Sequence, residues 1–167
     1  MSKSLGDHLN DDLCRRLSGE NLQPSADKVV LLATVDDRGR PHPAMLSYFE
    51  VVARDCCNIR MATYKNSRTT ENIRRNGKAT ISVIEERVAY YIKGSVRELK
   101  REMRCAPQNS KLNLRVEAVL ADAANEEFEP GAYVLSGVTY HSPIRNEQLM
   151  KAREIINELL LDEDHGA

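Results

Sequence analysis

Ala62-Thr63-Tyr64-Lys65-Asn66-Ser67-Arg68-Thr69-Thr70-Glu71-Asn72-Ile73-Arg74-Arg75-Asn76 changes character abruptly along its length. An apolar run containing Ile59 and Met61 gives way to a cationic, hydroxyl-rich turn, and the turn opens a short helix. The first N–H groups of a helix lack internal partners and carry partial positive charge, so an anion settles there readily. Ser67, Arg68, Thr69 and Thr70 gather at that point, where hydroxyls and a guanidinium would add charge-assisted hydrogen bonds. Two readings follow from the spacing: a cradle for a phosphorylated cofactor, or Ser67 as the plain cap of a solvated helix.

On the N-terminal side, Asn58 to Ala62 reads as a strand that delivers this turn. Val29-Val30-Leu31-Leu32-Ala33-Thr34-Val35 is short, β-branched and almost wholly apolar, which predicts a buried strand. Asp36-Asp37-Arg38-Gly39 signals a turn, and an extended run from Arg40 to Val52 follows, its start made irregular by Pro41 and Pro43. Leu5, Leu9, Leu13 and Leu17 recur every four residues and predict an N-terminal helix over about 4–18, with Ser4 as its cap. On the C-terminal side, Asn76-Gly77 stops the helix, and strands are expected at Lys78–Ile84, at Val88–Leu99 with an interruption at Gly94, at Leu112–Leu120 and at Ala132–Tyr140. Lys100 to Lys111 is a loop or a short helix. Leu149, Ala152, Ile155, Ile156, Leu159 and Leu160 share one face of a helix over about 146–161. Short strands at this spacing, in a single domain over 1–167, argue for an antiparallel barrel or sandwich.

Composition narrows the class. A chain of 167 residues with 41% hydrophobic content can bury a real core, and a net charge of −1 provides no global field for nucleic acid or an anionic membrane. No apolar run approaches the roughly 20 residues of a bilayer crossing, and the N-terminus has no hydrophobic signal core, so a cytoplasmic protein is expected. Cys14, Cys56, Cys57 and Cys105 form no C-x-x-C pair and read as reduced thiols without a metal.

Leu32-Ala33-Thr34-Val35-Asp36-Asp37-Arg38-Gly39-Arg40-Pro41-His42, followed by Ala62-Thr63 through Ser67-Arg68 and then by Asn72-Ile73-Arg74-Arg75-Asn76, resembles the FMN-binding split-barrel family typified by pyridoxamine 5'-phosphate oxidase. Tyr90-Tyr91-Ile92-Lys93-Gly94-Ser95-Val96-Arg97 is similar to that family's strand before a glycine turn. The resemblance implies a six-stranded antiparallel split β-barrel with flanking helices, a homodimer with flavin at its interface, and FMN as cofactor. It implies that Thr63, Ser67 and Arg68 lie at the phosphate turn with Thr69, Thr70 and Asn72 as neighbours. It also implies that the backbone of Met45, Leu46 and Ser47 faces the flavin ring. Tyr91 is a further candidate, either stacking on the ring or packing at a subunit contact.

The chain departs from the oxidase proper at three cations. Ala44 stands where that enzyme has an arginine, and Phe49 and Thr69 stand where it has lysines. Lys65, Arg74 and Arg75 are the candidate replacements. The oxidase's C-terminal Arg/His substrate cluster has no counterpart, so pyridoxamine phosphate is not the expected substrate. The expected function is a flavin-dependent oxidoreductase with a small-molecule redox substrate. The alternative is a non-enzymatic flavin- or haem-binding protein on the same barrel, for which His42 and His141 are candidate axial ligands; His8 and His165 lie in the termini.

Overall fold

The computed structural model describes residues 2–162; Met1 and residues 163–167, with His165, lie outside the described residues. Strand β1 (Ser2–Gly6) and helix α1 (Asp11–Arg16) are followed by β2 (Lys28–Val35), β3 (Pro41–Ser47), β4 (Val51–Asp55) and β5 (Asn58–Tyr64). Then come α2 (Arg68–Asn76), β6 (Lys78–Glu85), β7 (Val88–Lys100), β8 (Asn109–Asp122), β9 (Val138–Thr139) and α3 (Arg145–Leu160). All strand pairs are antiparallel. They form one curled sheet in the order β3-β2-β6-β7-β8-β5-β4, with β1 added to β8 and β9 added to β2. The fold is mainly β with flanking helices, as the sequence predicts. The sheet has nine strands rather than six: seven lie on the main path, and the short β1 and β9 extend it. Among the described residues no helix is long and apolar enough to cross a membrane.

Three expectations are corrected. The N-terminal helix spans Asp11–Arg16 rather than about 4–18. Leu9, Leu13 and Leu17 are buried as their spacing requires, but Leu5 lies on β1, and Gly6 at φ 101° separates the two elements. Asn10 rather than Ser4 is the cap, its Oδ1 accepting the Leu13 amide at 2.9 Å. The run from Arg40 to Val52 is broken by a 3₁₀ turn at Tyr48–Glu50, held by a capping box between Ser47 and Glu50. Of Ala132–Tyr140, only Val138 and Thr139 join the sheet. They pair with Val29 and Lys28, while the β2 edge from Leu31 to Ala33 is already taken by β6. Gly94 lies at a register shift between β7 and β8, where an added Cβ would collide with the Arg115 carbonyl.

Two apolar cores follow from the strand alternation. Val30, Leu32, Ile59, Met61, Ile81, Ile92, Leu112 and Leu114 fill the inside of the sheet, with Leu9, Leu13 and Leu17 from the N-terminal segment. The opposite faces of β4 and β5 present Val52 and Ala62 to Phe49, and Ala152, Ile156 and Leu159 of α3 close over them. Each fully buried side chain of this size stabilises docking by roughly 1.5–3 kcal/mol. The small Ala62 lets the helix approach closely, which places the start of α3 beside the ends of β3 and β5.

Candidate functional site

The end of β5 and the start of α2 form the turn singled out in the sequence. Ser67 adopts extended backbone as the helix cap, and its Oγ accepts the Thr70 amide at 3.2 Å. The Thr70 hydroxyl donates to the Tyr64 carbonyl at 2.8 Å and lies 2.7 Å from the Thr63 hydroxyl, so Thr70 ties the turn to the strand. The helix ends at Gly77, which takes φ 64° and returns its amide to the Ile73 carbonyl at 2.8 Å.

Beside this turn is a cavity of about 310 Å³, open on one side. Val29, Ala44, Met45, Leu46, Phe49 and Ala62 give it apolar walls. Ser47, Glu50, Thr63, Tyr64, Ser67, Thr69, Tyr140, Arg145 and Gln148 supply polar groups and the rim. Six of the predicted site residues therefore come together: Met45, Leu46, Ser47, Thr63, Ser67 and Thr69. Arg68 is exposed at the first position of α2 and is not among the lining residues. Thr70 is fully buried beneath the turn. Asn72 points away, its Nδ2 donating to the Thr34 Oγ1 at 3.0 Å. Tyr91 lies on β7 between Ser82 and Leu120, outside the lining. Its neighbour Tyr90 faces inward and donates to the Asp12 Oδ2 at 2.9 Å. No histidine is among the described lining residues.

Of the candidate replacement cations, Arg74 and Lys65 are engaged elsewhere, and the exposed Arg75 is not among the lining residues. Arg74 grips Glu98 with two nitrogens, at 3.0 and 2.6 Å, and donates to the Lys65 carbonyl at 2.8 Å. Lys65 pairs with Glu102 at 2.7 Å. The cation that lines the cavity is Arg145, 7% exposed, which donates to the Ser47 Oγ at 3.0 Å. Its guanidinium lies 5.8 Å from the ring centroids of both Phe49 and Tyr140. Glu50 accepts the Ser47 amide at 2.8 Å. Burial raises its carboxyl pKa, although the Ser47 N–H and the charge of Arg145 both act to lower it.

Sequence reasoning missed Phe49, Glu50, Tyr140, Arg145 and Gln148 as site components. Ser47-Tyr48-Phe49-Glu50 carries a readable capping-box signal that re-aims Phe49 and Glu50. No local pattern marks Arg145 and Gln148, because tertiary docking alone brings α3 to the site.

The arrangement suits a ligand with a flat apolar body and an anionic end: apolar walls from β2 and β3, and a helix N-terminus lined by the hydroxyls of Ser67 and Thr69. The chain matches the sequence pattern of pyridoxamine 5'-phosphate oxidase over residues 22–131. It is 31% identical over 153 residues to the uncharacterized protein YclD of Bacillus subtilis (strain 168), a match covering 90% of this chain and 95% of YclD. Among solved structures, a Lactobacillus delbrueckii protein provisionally assigned as a pyridoxamine 5'-phosphate oxidase shares the fold at a TM-score of 0.53 and 19% identity, over 70% of this chain and 98% of that one. A single-substitution form of HupZ from Group A Streptococcus aligns at a TM-score of 0.53 and 16% identity, over 68% of this chain and 98% of that one. Rv2991 of Mycobacterium tuberculosis aligns at 0.54 and 12% identity, over 79% of this chain and 96% of that one. Matched over most of its barrel in sequence and sharing the fold, the chain belongs to the pyridoxamine 5'-phosphate oxidase family of split-barrel proteins.

Proposed function

We propose that the protein binds flavin mononucleotide in this cavity and acts as a flavin-dependent oxidoreductase on a small molecule, as a homodimer in the cytoplasm. The observation that carries the reading is the junction of one apolar wall, Met45-Leu46 with Phe49, to the capped start of α2, where Ser67, Thr63 and Thr69 cluster. Ser67 and Thr69 would hold the phosphate with the first amides of α2. The backbone of Met45, Leu46 and Ser47 would meet the polar edge of the ring, and Phe49 and Val29 would cover apolar surface. When bound, the flavin supplies the hydride chemistry; the chain binds it, orients it and keeps water from one face.

Partnering of two copies is supported by the open side of the cavity. Met45, Tyr64 and Tyr140 are 53%, 65% and 47% exposed at its rim, an apolar edge that a second subunit would cover.

Titrating FMN into the purified chain tests the proposal. Quenching of flavin fluorescence that saturates at one flavin per chain, followed by bleaching of the flavin bands with NADH or NADPH, is the expected outcome. A chain that leaves FMN fluorescence unchanged overturns it.

A further inference from the structure

Arg145 is in an energetically unusual state. Its Nη1 donates to Ser47, but Nε and Nη2 are buried and have no hydrogen-bond partner among the described residues. No carboxylate among those residues lies within ion-pair distance of it, although Glu50, in the same cavity and accepting the Ser47 amide, is near enough to feel its charge. Phe49 and Tyr140 each lie within cation–π range of the guanidinium but accept none of its N–H donors. One turn along α3, the buried Gln148 Oε1 is also unpartnered among the described residues. A buried cation with idle donors is strongly disfavoured unless something pairs with it.

We propose that Arg145 and Gln148 form an oxyanion-recognition site, which takes the carboxylate or phosphate group of a small molecule bound in the cavity. Arg145 offers two in-plane donors in the fork geometry that fits a carboxylate or phosphate oxygen pair. Gln148 offers an acceptor, or a donor after rotation of its amide. The start of α3 adds the positive end of a helix dipole with no side-chain cap from Ile144, although the Arg145 amide itself donates to the Ser142 carbonyl. The anion has two possible sources, the phosphate of a mononucleotide cofactor or the acidic group of a separate substrate.

Inorganic phosphate is the first probe, with the melting temperature of the full chain followed at constant ionic strength against chloride. Wild type should show a saturable rise, and Arg145→Gln should require at least tenfold more phosphate for the same rise. Gln148→Leu should weaken the response less, and it serves if Arg145→Gln does not fold. Flavins then identify the source. If the anion is the cofactor's tail, Arg145→Gln loses at least tenfold in FMN affinity and keeps riboflavin within twofold. If it is a separate molecule, both flavins bind the variant as they bind wild type, and only the phosphate response is lost. A chain that binds neither flavin but loses its phosphate response in Arg145→Gln retains this site and refutes the flavin reading. A wild type indifferent to phosphate, or variants with an undiminished response and unchanged FMN affinity, overturns the inference.

Discussion

Ser67 caps α2, and a single substitution separates that role from the phosphate contact proposed for it. As a helix cap it needs a side-chain acceptor, and aspartate caps about as well as serine. As part of a phosphate site it must carry no negative charge. Ser67→Asp should therefore leave stability within ~0.5 kcal/mol, while weakening FMN at least tenfold, about 1.4 kcal/mol. Riboflavin, which lacks the phosphate, should lose much less. Equal losses for both flavins, read by fluorescence titration, would show that the phosphate does not sit at this turn. Ser67 was legible because capping and anion binding both leave local marks in sequence. Asn72 and Tyr91 fall outside the cavity lining for a physical reason. Their motif positions were right, but side-chain direction depends on where a helix docks and on strand parity, which a motif does not encode.

Helix α3 is anchored at its far end by two polar contacts. Lys111, fully buried on β8, donates to the Glu158 and Leu161 carbonyls at 2.8 and 2.7 Å, satisfying the helix C-terminus and its dipole. The Glu158 carboxylate accepts the amides of Arg104 and Cys105 at 2.6 and 2.8 Å. Burial alone would raise the Glu158 pKa, but hydrogen bonds from Cys105 and Arg104 and the charge of Lys100 outweigh it and bring it to about 2. Conversely, burial and the Glu158 carboxylate push the Cys105 thiol up to about 12. A carboxylate whose pKa falls on folding contributes stability above its ordinary value of 4.5, and that contribution fades as pH drops toward about 2. Glu158→Gln should thus cost about 1–3 kcal/mol at pH 7, with the gap to wild type closing between pH 5 and pH 2 in urea titrations. Lys111→Met should cost about 1–3 kcal/mol, since it removes two charge-assisted hydrogen bonds to the helix's last carbonyls. The apolar stripe of α3 was readable from its spacing. The leucine spacing at the N-terminus was continued one turn too far, because Leu5 fits the same period while belonging to a strand beyond Gly6.

The whole molecule is a curled sheet whose cavity draws on β2, β3, β5 and α3, elements far apart in sequence. Antiparallel topology was readable from turn signals and alternation, whereas the convergence of α3 on the cavity was not, since no residue between Asp122 and Arg145 announces where the chain returns. The exposed rim predicts an association state: sedimentation at micromolar concentration should give twice the chain mass. Met45→Lys, on the edge strand β3, should shift the population toward monomer and weaken FMN in parallel. A monomer that binds FMN with full affinity would refute the interfacial site. The placement of Arg145 also fixes an order of events during biosynthesis. It emerges from the ribosome after every described strand of the sheet, so a nascent chain with a finished barrel still lacks one wall of its cavity until α3 has been translated and has docked.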